Sequence, residues 1–154
     1  MNEDEEDAFG DPDPSDLEQI AEPGAVSTYY GSADEWFRRY WRYTYRRRVS
    51  PKGTGTGRWR ADWWNYDEAR QRIEALWRGW EASRRDPGLG VSTWWINHAD
   101  PQMNALLATD GCFAASSDEN LPGDPLPYAR PPHGLFAPDR YTNPTGTRDE
   151  TVAT

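Results

Sequence analysis

A single cysteine, Cys112, rules out an internal disulfide in this chain of 154 residues. Histidine is nearly as scarce, with only His98 and His133. A zinc site takes about four suitable ligands, so the residues for a metal centre are largely missing. No metal and no cofactor are expected. No apolar run is long enough to cross a bilayer, and the charged start and apolar core of a signal peptide are absent. A cytoplasmic protein without membrane association is the expectation. Basic residues are missing from the first 28 positions, which hold ten acids. The run "SPKGTGTG", Ser50 to Gly57, lacks the Gly-Lys-Ser/Thr ending of a phosphate-cradling loop and reads as a flexible connection. No segment alternates cleanly enough to demand a sheet.

What remains is uneven in charge and rich in large rings. The formal net charge is -9. Residues 29–115 carry fourteen bases and ten acids, between the acidic head and a tail with three bases and six acids. The head 1–28 has too few apolar residues to bury much surface and is expected to be disordered. The tail 116–154 is rich in Pro and Gly and is expected to be loose as well. Residues 29–115 are then the folded part. Nine tryptophans let so short a segment build a core.

The helix signals point to an all-α domain of three main helices plus one short helix. Ser32 followed by Glu35 fits a capping box. On the wheel that follows, Phe37, Tyr40, Trp41 and Thr44 group together, while Arg38, Arg39, Arg42 and Arg46 share the opposite face. The stretch "RRYWRYTYRRR" therefore reads as one two-faced helix with its rings inward. Asn65 with Glu68 suggests a second start, and Ala69, Ile73, Leu76, Trp77 and Trp80 form a stripe at helical spacing. Gly79 borders that stripe and leaves room for another element. Ser92 caps a short helix under Trp94 and Trp95. Asp100-Pro101 opens the last helix, because Pro at the first helical position wastes no donor.

Several functional readings follow. Trp63, Trp94 and Trp95 belong to adjacent pairs or borders that cannot all face inward, and with Arg38, Arg39, Arg42 and Arg46 they are candidates for docking an unidentified protein partner or a second copy of the chain. The same arginines could grip nucleic acid, with the acidic head masking them. The overall negative charge weighs against that alternative. An enzyme would have to use His98 with Asp100 or Asp110. Asp100 lies two residues from His98, off its helix face, and no motif singles out a general acid or base. His98 is therefore more simply a structural residue fastening two helices together.

The segments "YYGSADEWFRRYWRYTYRR", "RWRADWW", "RIEALWRGWEASRRDPGLGVSTWW" and "HADPQMNALLATDGCFA" resemble an actinobacterial family of Trp-rich domains of unknown function. The likeness runs over about residues 29–115. It implies a setting in actinobacterial chromosomes, phages or mobile elements, and no activity. The chain departs from the family pattern at Arg60 and Tyr66, where relatives often carry Cys and His. It departs again at Gln102 and near Ser116, where a second His and a Cys are common. A metal site built from those positions in relatives would be mostly lost here. His98 and Asp100 match the pattern.

Overall fold

The structure is a computed structural model that describes residues 27–137. The expected disorder of the acidic head, and of the tail from residue 138, lies outside the described residues. Within them the protein is a small all-α domain of three helices, with no strand and one isolated bridge between Val49 and Gly57.

Helix α1, residues 33–44, is α-helical over Ala33–Trp36, widens to a π turn over Phe37–Trp41 and returns to α over Arg42–Thr44. Ser32 caps it by accepting the Glu35 amide at 3.1 Å, and the Glu35 carboxylate reaches back to Gly31 N–H at 3.2 Å. The capping box forms one residue wider than its usual geometry. The π turn adds a residue to the helical repeat. Residues five apart, Trp36 and Trp41, consequently share the inner face, and their rings stack at 5.2 Å. The inner face then passes to Tyr45, not to Thr44 as a regular wheel has it. Tyr45 is buried and stacks on Trp41, while Thr44 is exposed and its hydroxyl donates back to the Tyr40 carbonyl.

Helix α2, Asp67–Ser83, buries Ala69, Ile73, Leu76 and Trp77 as its spacing predicts. Each fully buried large aliphatic side chain contributes about 1.5–3 kcal/mol. Asn65 does not cap it: this residue ends a 3-10 turn, Trp63–Asn65, and its amide donates to Asp62. Helix α3, residues 90–107, is likewise interrupted by a π turn, Trp95–Ala99, between Gly90–Trp94 and Asp100–Leu107. The expected short helix and last helix are thus one rod. Ser92 lies inside it, exposed, and does not cap it. Pro101 has no N–H to give to the preceding turn and its ring crowds the carbonyl four residues back, which accounts for a widened turn at that point.

The π turns bring the two rods together through rings. Trp41 meets Trp94 and Trp95 at 5.2 Å each, and its indole N–H reaches Met103 Sδ at 3.3 Å. Six tryptophans (Trp36, Trp41, Trp59, Trp63, Trp77 and Trp94) are fully buried. Neighbours Trp64 and Trp95 sit at the margin of the core.

The packed unit extends beyond Ala115. Residues 116–137 form an extended strap over α1 and the segment between α1 and α2. Leu126 is buried; its N–H donates to the Arg42 carbonyl and the Arg42 guanidinium donates to its own carbonyl at 2.9 Å. Trp59 and Trp64 donate their indole N–H groups to Pro127 and Ala129. Pro and Gly make this segment irregular, but its backbone groups find partners on α1 and on the segment between α1 and α2, and so it is ordered against them.

Candidate functional site

The arginines divide into two groups by partner. On the first turns of α1, Arg38 lies 3.4 Å from Asp34 and Arg39 lies 3.3 Å from Glu35, both one helical turn away. Arg60, Arg72, Arg78 and Arg84 likewise each meet a carboxylate. From Arg42 onward the pattern changes. Arg42 bonds the Leu126 carbonyl and the Tyr43 hydroxyl. Arg46 bonds the carbonyls of Tyr43 (2.9 Å) and Gly123 (2.7 Å). Arg47 bonds the Arg46 carbonyl and lies 3.9 Å from the centre of the Tyr45 ring. Arg48 donates to the carbonyls of Val49 and Asn120, and Arg58 to those of Ser50 and Pro51.

These five guanidiniums and Lys52 have no carboxylate within ion-pair distance among the described residues. Their segments are continuous: Gly57 N–H donates to the Arg48 carbonyl and Ser50 N–H to that of Gly57, closing the loop between them. Gly53 and Gly55 turn it with φ of 87° and 80°, a region only glycine enters without strain. Three acids of the strap stand in the same region; they are bonded by neutral donors and keep their charge as well, so the six cations exceed the carboxylates there by three. Asp118 accepts Ala61 N–H, Glu119 accepts the Ser50 hydroxyl, and Asp124 accepts Leu121 N–H. Arg70, Arg85 and Arg130 also lack a carboxylate, but they belong to other segments.

Rings line this cationic surface. Tyr43, 47% exposed, lies between Arg42 and Arg46, whose guanidinium carbons are 4.9 and 6.0 Å from its centroid. Tyr128 flanks Arg42 on the strap side at 5.6 Å. Cation–π contact and carbonyl bonds fix the guanidiniums in direction without cancelling their charge.

The other candidates are dispersed. Trp63 and Trp94 are fully buried, so neither presents a ring to a partner: they fill the core, Trp94 with its indole N–H on the Leu76 carbonyl. Trp95 is half-buried and stacks beside Tyr45 at 6.1 Å. His98, Asp100 and Asp110 are all exposed. The π turn puts Trp94 and Ala99 on the inner face and rotates His98 outward, so it fastens no helix pair. Among the described residues no three His, Cys, Asp or Glu side chains gather as metal ligands. Arg60 and Tyr66 instead meet as a cation and ring, 5.7 Å apart. No helix of the described residues is long and apolar enough to cross a membrane.

Sequence reasoning missed three polar anchors. Glu81, buried, receives the N–H groups of Tyr29 and Tyr30 at 2.8–3.0 Å and the Arg84 guanidinium at 3.1 Å. Its position four residues after Trp77, in line with the inner stripe, was the available signal. Asp34, also buried, accepts the Tyr128 hydroxyl at 2.7 Å; burial holds its carboxyl above the usual value against the pull of Tyr128 and Arg38. Asn120 binds Val49 N–H and the Arg47 carbonyl. A cleft of about 450 Å³ between the start of α1 and the strap is lined by Asp34, Glu35, Arg38, Arg130 and His133, among others. Its two carboxylates balance its two guanidiniums. Cys112 is half-buried, and desolvation with Glu68 beside it raises its thiol to about 11, which keeps it protonated and poorly nucleophilic.

Neither the curated proteins nor the solved structures include a significant match to the chain. Residues 30–132 match a family described as a domain of unknown function, DUF4913, and the match runs through α1, α2, α3 and most of the strap. The chain belongs to the DUF4913 family.

Proposed function

We propose that this protein is a non-enzymatic interaction module that docks an acidic segment of a partner protein on the surface formed by Arg42, Arg46, Arg47, Arg48, Lys52 and Arg58. The observation that carries this reading is the switch of guanidinium partners along the chain. Elsewhere most arginines are neutralised by a neighbouring carboxylate, whereas these are held by carbonyls and rings and keep their charge available. Fixed guanidiniums lose less entropy on binding carboxylates than mobile ones do. The docking surface is therefore arginine and tyrosine, with tryptophan serving the core. The actinobacterial mobile-element or phage setting implied by the family resemblance belongs to the same proposal.

A second reading, nucleic-acid binding, is favoured by one feature. The exposed Tyr43 ring between Arg42 and Arg46 is a ready stacking platform beside phosphate-binding groups.

The test is fluorescence anisotropy at low salt with a labelled twenty-residue Glu/Asp peptide and a labelled single-stranded oligonucleotide. The full chain and a variant carrying Arg46→Glu and Arg47→Glu are compared. Peptide affinity is expected to fall about tenfold or more in the variant. Equal peptide affinity for both proteins would overturn the docking reading. Tighter, variant-sensitive binding of the oligonucleotide would transfer the surface to the second reading.

A further inference from the structure

We infer that the cleft between the start of α1 and the end of the strap is a binding site for a small aromatic monocarboxylate. It shares no residue with the Arg42–Arg58 surface, so it stands apart from the docking reading.

Both walls of the cleft are fixed by bonds. One wall is the first turn of α1, where Tyr128 and Arg38 hold Asp34, and Gly31 N–H and Arg39 hold Glu35. The other is the strap from Arg130 to Phe136. Just before it, Ala129 donates its N–H to the Ala61 carbonyl and accepts the Trp64 indole N–H, at 2.9 Å each. Within it, Leu135 N–H donates to the Pro132 carbonyl at 3.2 Å, closing a turn that Gly134 makes with φ of 85°. The space between the walls, about 450 Å³, is that of a small-molecule site.

Charge selects the head of the ligand. The cleft's carboxylates are Asp34 and Glu35, and its basic groups are Arg38, Arg130 and His133. Asp34 pairs with Arg38 at 3.4 Å inside the cleft. Glu35 pairs at 3.3 Å with Arg39, which does not line it. With that outer arginine counted and histidine taken as neutral, three guanidiniums stand against two carboxylates. Arg130 is the one without a carboxylate at ion-pair distance among the described residues, and it is exposed. A guanidinium takes a carboxylate through two parallel hydrogen bonds. A surplus of one positive charge suits a monoanion, whereas Asp34 and Glu35 would repel the second charge of a phosphate.

Apolar surface selects the body. Phe136 lines the cleft together with Pro131 and Pro132. Its ring packs at 5.7 Å on Trp63 and lies 5.7 Å from the Arg70 guanidinium, and neither of these residues lines the cleft. A flat ring on the ligand can therefore pack on Phe136, offset or edge to face, while its carboxylate meets Arg130.

The experiment follows amide resonances of the full chain during titration with benzoate, benzamide, cyclohexanecarboxylate and phenyl phosphate. Benzoate is expected to move resonances of residues 31–38 and 133–136 saturably, and to bind tightest of the four. Arg130→Gln is expected to weaken benzoate about tenfold or more. Distant resonances should stay in place, since the Arg130 side chain makes no hydrogen bond or ion pair to the described residues. Absence of saturable shifts, shifts confined to residues 42–58, or equal benzoate affinity in the Arg130→Gln protein would overturn the inference. Equal binding of benzamide would remove the role of the guanidinium and overturn it too. Equal binding of cyclohexanecarboxylate or of phenyl phosphate would overturn the assignment to an aromatic ring or to a single charge. None of these results touches the docking reading, which is tested with the acidic peptide.

Discussion

The Tyr128 hydroxyl donates a 2.7 Å hydrogen bond to the buried carboxylate of Asp34, joining residues 94 positions apart. Asp34 lies in the first turn of α1, and Tyr128 lies on the strap with its ring 6.0 Å from that of Phe37. One bond thus closes the C-terminal segment onto the N-terminal helix.

Tyr128→Phe keeps the ring and removes the donor. Asp34 then retains Arg38 but loses its neutral partner in a desolvated position. Stability should fall by about 1–3 kcal/mol, read as a lower urea midpoint with unchanged slope. Asp34→Asn still offers an acceptor to Tyr128 and relieves the buried charge, so it should cost less than Tyr128→Phe. The reverse order would show that the hydroxyl bond is not what ties the strap down.

Three phenols should titrate late in the folded protein. Burial raises Tyr30 to about 12, and it raises Tyr45 and Tyr128 as well, Tyr128 with help from Asp34. These phenols favour their neutral form in the fold. The stability they contribute is intact below pH 10, the unfolded value, and is lost as pH rises through the folded values. Absorbance at 295 nm should show a late-titrating class in the native protein that disappears in concentrated urea. The urea midpoint should decline from about pH 10 to 12.

Gly79 should resist replacement by alanine in spite of helix propensity. A Cβ there would meet Trp94 Cδ1 and Nε1 at 3.3 Å, and Trp94 is buried among Trp36, Trp41 and Trp95 with no room to retreat. The propensity gain is about 1 kcal/mol, and overpacking costs about 1–3 kcal/mol. Gly79→Ala should therefore lower thermal stability. On α3, Trp94→Ala should cost about 3–5 kcal/mol, while Ile96→Ala, at a side chain 68% exposed, should stay within about 0.5 kcal/mol. A stabilised Gly79→Ala protein would mean that Trp94 is more mobile than its packing implies.

The segregation of rings from guanidiniums on α1 was readable because a helix imposes a fixed angular step on its residues. Phe37 and Trp41 went inside for that reason, and the stripe of α2 followed the same rule to Trp77. The wheel failed where the repeat changed. At Thr44 and His98 the π turns had moved the inner face by one residue, to Tyr45 and Ala99. Trp63 and Trp94 were misread as surface because pattern alone says that one ring of an adjacent pair sits at the margin, without saying which. The cations past Arg46, which complete the candidate site, lie where helical periodicity has already ended.

Composition and spacing were enough to determine an all-α domain, an aromatic core, and the absence of an internal disulfide. These are local or additive properties, legible in a window of one chain segment. Only the tertiary structure decided which arginines would meet carboxylates and which would meet carbonyls: Arg42, Arg46 and Arg48 each reach a carbonyl of the strap, 84, 77 and 72 residues downstream, which carries no periodic signal. Contacts between distant segments depend on where those segments lie in space, and that arrangement left the cations from Arg42 to Arg58, all but Arg42 beyond the end of α1, held by groups other than carboxylates.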